Sequence, residues 1–401
     1  MSGYKTVEVT EFQTKRMISF IKICGVLQEP NFFGRSYEAL TFTFGFLSTF
    51  QLLFSIPFYL DEIDSIAMQV YHASLYSATP LSIGCLFFHK YALYCITHHS
   101  NLSYDYNSKI MEDIQNKIIR EGKTGKIRVF ATCMPWMLTI MVSNFIINSF
   151  LDKFVMGQKY LQFYDIWYPS FVNKDYLAVE LITYFIHISS MLLSGFTIFS
   201  ATGGAFLVYC QMTSELSLLS RALSHLDARA REISEREGIS LQQAYREAFR
   251  MCAEHHIRII GFFVDVGPGI QMIYTLCYFI GLLLLTCTGF AFTFESLTVK
   301  IKFAVVSLIQ YTFLYGISWC AEEISTQGEL VNEATYGIDW LAMPPDVRSS
   351  LRILLLFSQR PLQIRMIFGQ LVSLDGYMSL VKASYSYFNM MLVATRGEEI
   401  I

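Results

Sequence analysis

The chain has 401 residues, of which 53% are hydrophobic, 15% aromatic and only 16% charged, an apolar excess beyond what soluble domains carry. Its formal net charge is -3, from 30 basic and 33 acidic residues, and no basic stripe is interleaved with aromatics, which argues against a nucleic-acid partner. Composition therefore sets the class as an all-α polytopic membrane protein whose first partner is the lipid bilayer.

In chain order, residues 1–37 carry Lys5, Lys15, Arg16, Lys22 and Arg35 without a short apolar run before a small-residue cleavage site, so no cleaved signal is indicated. Apolar runs long enough to cross a bilayer follow at 38–60, 66–96, 129–151, 176–209, 262–294 and 303–320, and a seventh lies at 377–395 near the end. An odd number of spans puts the termini on opposite sides. Lys and Arg number 5, 6, 7 and 3 in the segments on the N-terminal side (1–37, 97–128, 210–258, 321–361). They number 0, 3, 2 and 1 on the other (61–65, 152–175, 295–302, 396–401), a bias of 21 to 6. The positive-inside rule then predicts a cytoplasmic N-terminus and an extracellular C-terminus. This predicts a cytoplasmic segment at 1–37, six spans with cytoplasmic extensions over 38–345, the anchor half of the seventh helix at 346–374, and its spanning half with an extracellular tail at 375–401. The acceptor Asn101-Leu102-Ser103 falls on the cytoplasmic side, beyond reach of glycosylation.

The cytoplasmic segments are patterned as helices. The stretch 211–236 is rich in Leu, Ala, Arg and Glu. Gly238 then supplies a stop and Ser240 an N-cap. Beyond it Ala244, Tyr245, Ala248, Met251, Cys252, Ile259 and Phe262 recur at helical spacing and form one packing stripe. The fourth and fifth spans are therefore expected to extend into the cytoplasm as a packed hairpin. A further anchor helix is expected over 346–357, started by Pro344-Pro345. Gly267-Pro268-Gly269 is expected to kink the fifth span.

The nine cysteines form no Cys-x-x-Cys pair and mostly lie in or beside apolar segments, reading as small buried hydrophobes. Catalysis needs convergent titratable groups, yet the spans hold only Glu180, His187, Asp265, His72 and His89, with no metalloprotease, nucleophile-elbow or phosphate-loop motif. His98-His99 and His255-His256 are adjacent, so the members of each pair point to different helix faces and suit a metal poorly. Neither an enzyme nor a metal or cofactor protein is indicated. What remains is recognition. The outer halves of the spans contain Tyr71, Leu75, Tyr76, Asn144, Ile147, Tyr184, His187, Ile188, Met191, Phe290 and Tyr311, an apolar aromatic set with a few polar tips that suits a small, mostly apolar ligand. His187 and Met191, four apart, share a helix face. For any one of these residues, ordinary helix packing is the competing reading.

The last quarter is too interrupted to be one membrane helix. Arg348, Arg352, Arg360 and Arg365 are spread through its first half with Pro361 between apolar runs, and the second half mixes Ser379, Lys382, Ser384, Ser386 and Asn389 with aromatics. Lys382 either snorkels to the headgroups or borders a water-filled path. On a helix, Ala383 and Met390 lie almost on one line, with Ser386, Tyr387 and Ala394 within about 60° of it.

Three blocks here, Ala334-Thr335-Tyr336 with Trp340, Ser358-Gln359-Arg360-Pro361, and Lys382-Ala383-Ser384-Tyr385-Ser386-Tyr387-Phe388, resemble the C-terminal signature of insect odorant receptors, and their spacing fits. The resemblance implies a seven-span subunit of a ligand-gated, non-selective cation channel opened by a small volatile odorant in the plasma membrane of olfactory sensory neurons. It implies a cytoplasmic anchor joining four subunits, an odorant pocket among the outer parts of spans two to six, and a pore lined by Ala383, Ser386, Tyr387, Met390 and Ala394. Met390 and Ala394 fall at the family's constriction, and the small Ala394 favours a pore shared with another subunit. The 49 residues at 210–258 are fewer than the family's co-receptor carries, which implies an odour-tuning chain in a heteromeric tetramer with that co-receptor. The gustatory branch ends its last helix with a Gln-Phe pair, whereas Phe388 is followed here by Asn389. A G-protein-coupled receptor would need the reverse topology and lacks its Asp-Arg-Tyr and Asn-Pro-x-x-Tyr motifs here. A carrier using the Gly267-Pro268-Gly269 break would need a paired break in a second half, and this chain has none.

Overall fold

The structure is a computed structural model describing residues 4–6, 19, 32–59, 63–88, 102–164, 166–168, 172–173, 175–293, 297–360 and 362–398. It is helical nearly throughout: α1 (Phe32–Ser55), α2 (Ile63–Phe88), α3 (Lys109–Lys117), a π-helical stretch (Ile118–Thr124), α4 (Gly125–Phe154), α5 (Leu177–Ser224), α6 (Leu226–Glu237), α7 (Leu241–Ala291), α8 (Leu297–Tyr336), α9 (Pro345–Ser358) and α10 (Leu374–Glu398). The only strands among the described residues, Tyr4–Thr6 and Leu102–Tyr104, pair antiparallel with Lys5 opposite Ser103.

Among the described residues, five helical stretches are long and apolar enough to cross a membrane: Arg35–Phe58, Lys109–Phe154, Leu177–Ser224, Leu241–Ala291 and Leu297–Tyr336. Helices α2 and α10, at 26 and 25 residues, exceed the ~20 that a bilayer core requires but are richer in polar groups. On α1 the phenylalanines at 42, 46, 50 and 54 fall every fourth residue and stack ring on ring along one exposed face, which Phe58 continues just past the helix in a tilted contact with Phe54. A helix whose exposed face is apolar is built for lipid.

Two buried clusters divide the molecule. One runs through α1, α2, α4, the first half of α5, Leu161, Phe163, Tyr164 and Ile166, the last turns of α7 and the start of α8; the other through the second half of α5, α6, most of α7, the rest of α8 and α9. The second contains the packed helical hairpin expected over 211–262. Gly238 takes a left-handed φ of 67° and ends α6, and Ser240 caps α7 in a full capping box with Gln243. The stripe buries as its spacing predicts, with Ala244, Ala248 and Cys252 at 0% exposure and Met251 and Phe262 packed on the same core.

Helix α7 runs as one helix through Gly267-Pro268-Gly269, with Pro268 inside it and Val266 and Ile270 buried on either side. Three expectations need correction. The stretch 211–236 is interrupted at His225, where α5 gives way to α6. The segment 362–374 of the expected anchor half is irregular up to α10. Ile364, Met366 and Val372 are buried there, and α7 and α8 satisfy its backbone, Gln271 Nε2 donating to Met366 O at 3.0 Å and Ser325 Oγ to Leu362 O at 3.1 Å. Finally, Cys133 is exposed, whereas Cys210, Cys252, Cys287 and Cys320 are buried as expected.

Between α4 and α5 the chain folds back over one end of the bundle. Glu180 anchors it, forming an ion pair with Lys153 and accepting Leu161 N at 2.6 Å. Trp167 stacks on Phe58 with centroids 4.6 Å apart.

Candidate ligand cavity and terminal helix

Helices α2, α4, α5, α7 and α8 converge on a cavity of about 140 Å³ between the two clusters. Glycines let the helices close around it. A Cβ on Gly195 would come within 2.2 Å of Leu138 Cδ1, and one on Gly281 within 2.9 Å of Leu314 Cδ2. The lining is apolar apart from Tyr71, Ser82 and Gln310, and Gln310 Nε2 donates to the Tyr71 hydroxyl at 3.3 Å. Such a site gains its affinity from buried apolar area and its orientation from one or two hydrogen bonds.

Of the residues singled out from sequence, Tyr71 and Leu75 line this cavity. Tyr76, Tyr184 and His187 lie instead in an aromatic cluster under the α4–α5 segment. Tyr164 of that segment sits 4.3 Å from both the His72 and the His187 rings, and the Tyr76 hydroxyl donates to His187 O at 3.4 Å. Met191 and Phe290 are buried in the same core, with Ile188 packed against it. Asn144 Nδ2 donates to Lys302 O at 2.9 Å. Ile147 and Tyr311 are 57% and 37% exposed and stand apart from the cavity. Sequence reading missed Met134, Met137 and Met141. Their spacing of three and four on α4 was the available signal. It also missed Gln310, one residue from Tyr311.

On α10, Leu380 and Ser384 are buried, Phe388, Met391 and Leu392 pack on the core, and the opposite face is bare. Ser386, Tyr387 and Met390 are exposed, Met390 at 61%, while Ala383 is half-buried. Lys382 and Val393 share the bare face. The side chain of Ala394 lies outside the described residues. Ser358 Oγ donates to Asn332 Oδ1 at 3.1 Å, so the signature block that begins at Ser358 meets the helix that carries Ala334-Thr335-Tyr336. Tyr336, Trp340, Leu341, Ile353, Leu356 and Phe357 nearby are all more than half exposed, an apolar patch of the kind that marks an interface.

A family model described as 7tm Odorant receptor matches residues 62–385. The chain belongs to the odorant receptor family. The receptor is 23% identical over 145 residues to Odorant receptor 10 of Aedes albopictus, a match covering 34% of this chain and 37% of that relative. Its fold matches that of the insect olfactory receptor OR5 from Machilis hrabei, with a TM-score of 0.73 for the complex with eugenol and 0.74 for OR5 without it. Both are 15% identical in sequence, covering 96% and 95% of this chain and 98% of the other. The receptor is therefore a multi-pass membrane protein and no enzyme.

Proposed function

We propose that this receptor is the odour-tuning subunit of a ligand-gated, non-selective cation channel in the plasma membrane of olfactory neurons, opened by a small, mostly apolar volatile. The observation that carries the reading is the apolar cavity with its Tyr71–Gln310 pair, about 140 Å³ in volume. An engineered apolar cavity of about 150 Å³ admits benzene, so a ring-sized ligand with one hydrogen-bonding group matches this space. The eugenol bound by the OR5 of Machilis hrabei supports the same ligand class.

In this reading α1, α2, α4, α5, α7, α8 and α10 are the seven spans, with the N-terminus cytoplasmic and the C-terminus outside. The bare face of α10, carrying Ser386 and Met390, lines the pore, and the apolar patch around Trp340 and Phe357 joins subunits in a tetramer with the co-receptor. One helix per chain encloses no pore, so several subunits must surround the axis. The test is current recording against an odorant panel with and without the co-receptor. The expected result is odorant-evoked cation current that requires both chains. Surface-expressed receptor that gives no current with the co-receptor, or that takes up ligand stoichiometrically, overturns the reading.

A further inference from the structure

A second cavity, about 540 Å³, lies far from the first, between α3, the π-helical stretch, the start of α4, α5 and α8. Its lining is basic and hydroxylated: Lys117, Lys126, Arg221 and His225 around Ser214 and Ser217. No carboxylate contributes to the lining. Among the described residues, the ion pairs all involve other side chains. The neighbouring acid on α8, Glu323, accepts a hydrogen bond from Gln327 at 3.0 Å. Lys126 Nζ stands 4.8 Å over the Tyr209 ring. Basic groups of one sign gathered in a concave site repel one another and concentrate anions.

The backbone has the same character. Seven residues, Ile118–Thr124, wind as a π-helix, a rare conformation that is frequent at functional sites. Gly122 borders the cavity, and a Cβ built there meets nothing within 4 Å, so the space in front of it is open. The cavity is level with the start of α4 at Gly125, where in the proposed topology the phosphates of the cytoplasmic leaflet lie, and basic pockets at that depth suit phosphorylated headgroups.

We propose that this cavity binds a multiply phosphorylated small molecule, a phosphoinositide headgroup or its soluble inositol phosphate counterpart. Lys117, Lys126 and Arg221 pair with the phosphates, and Ser214 and Ser217 donate to their oxygens. Only the cytoplasmic placement rests on the proposed topology; the chemistry of the cavity does not.

The test uses the full-length receptor. Tritiated inositol 1,4,5-trisphosphate is titrated onto it in detergent, and phosphatidylcholine nanodiscs with and without phosphatidylinositol 4,5-bisphosphate are compared for lipid retained. The variants are Lys117→Gln combined with Arg221→Gln, and Gly122→Trp, which fills the space without removing a charge; exposed Lys109→Gln is the control. Saturable binding is expected, weakened at least tenfold in both cavity variants and unchanged in the control. Binding of the lipid alone assigns the headgroup, of the trisphosphate alone the soluble ligand, and of both their shared chemistry. No saturable binding of either probe overturns the proposal, as does binding that survives in the double Gln variant or falls equally in Lys109→Gln. Should Gly122→Trp fail to elute as folded receptor, the double Gln variant decides.

Discussion

At the scale of single residues, two methionines separate packing from recognition. Met137 lines the ligand cavity, whereas Met191 is fully buried but outside its lining. Met191→Ala should cost about 2–5 kcal/mol of stability, read as lowered surface expression, with the odorant ranking of the remaining receptors unchanged. Met137→Ala should leave expression near normal and shift the preferred ligand toward larger molecules in dose–response curves. Equal retuning by both variants would contradict this division. A third residue gives a pH signature. Lys123, on the π-helical stretch, is buried with its Nζ donating to Gln211 Oε1, and burial pushes its ammonium down to about 8, opposed by the Glu215 charge. Folding then favours the neutral amine, so the unfolded chain holds more protons between that value and the ordinary lysine range, and stability rises with pH across the window. From pH 7.5 to 9 the gain should be about 1 kcal/mol, measured by denaturant unfolding in detergent and absent from Lys123→Met.

At the scale of elements, α10 carries the clearest contrast. Met390 lies on its bare face at 61% exposure, and Asn389 beside it is half-buried. If the bare face meets the ion path, Met390→Ser weakens an apolar barrier to ions, and resting current or relative permeability should change while ligand preference holds. Asn389→Ser should alter permeation less. Like behaviour of the two variants in co-receptor-containing channels would mean the helix is rotated from this orientation. Boundaries written in local chemistry were legible beforehand: the stop at Gly238, the cap at Ser240 and the stripe from Ala244 to Phe262 each follow from residues within one or two turns. The course of 362–374 was not, because its apolar residues carry no period and its backbone is satisfied by Gln271, Thr275, Glu322 and Ser325 of two distant helices.

At the scale of the whole molecule, orientation is the decisive quantity, and the bias of 21 to 6 basic residues predicts it. Asn101, which lies outside the described residues, should carry no glycan in cells. An epitope ahead of Met1 should stain only after permeabilisation, and one behind Ile401 without it. The reverse pattern would favour a G-protein-coupled arrangement. Composition and hydropathy by themselves determined that this protein is helical and membrane-embedded, because burial in lipid demands long apolar runs whose backbone bonds close within the segment. The local spacing of residues likewise determined the packed hairpin of α6 and α7. Only the tertiary structure decided which side chains face which space. Tyr71 and Leu75 line the cavity while Ile147 and Tyr311 point away. Met134, Met137 and Met141 join them from α4, and Lys117 gathers with Arg221 across 104 residues of chain. In a helix apolar on nearly every side, hydropathy is the same toward lipid, core and cavity, so the rotation of each span is set by its neighbours. Close approaches such as Gly195 against Leu138 and Gly281 against Leu314 provide that constraint.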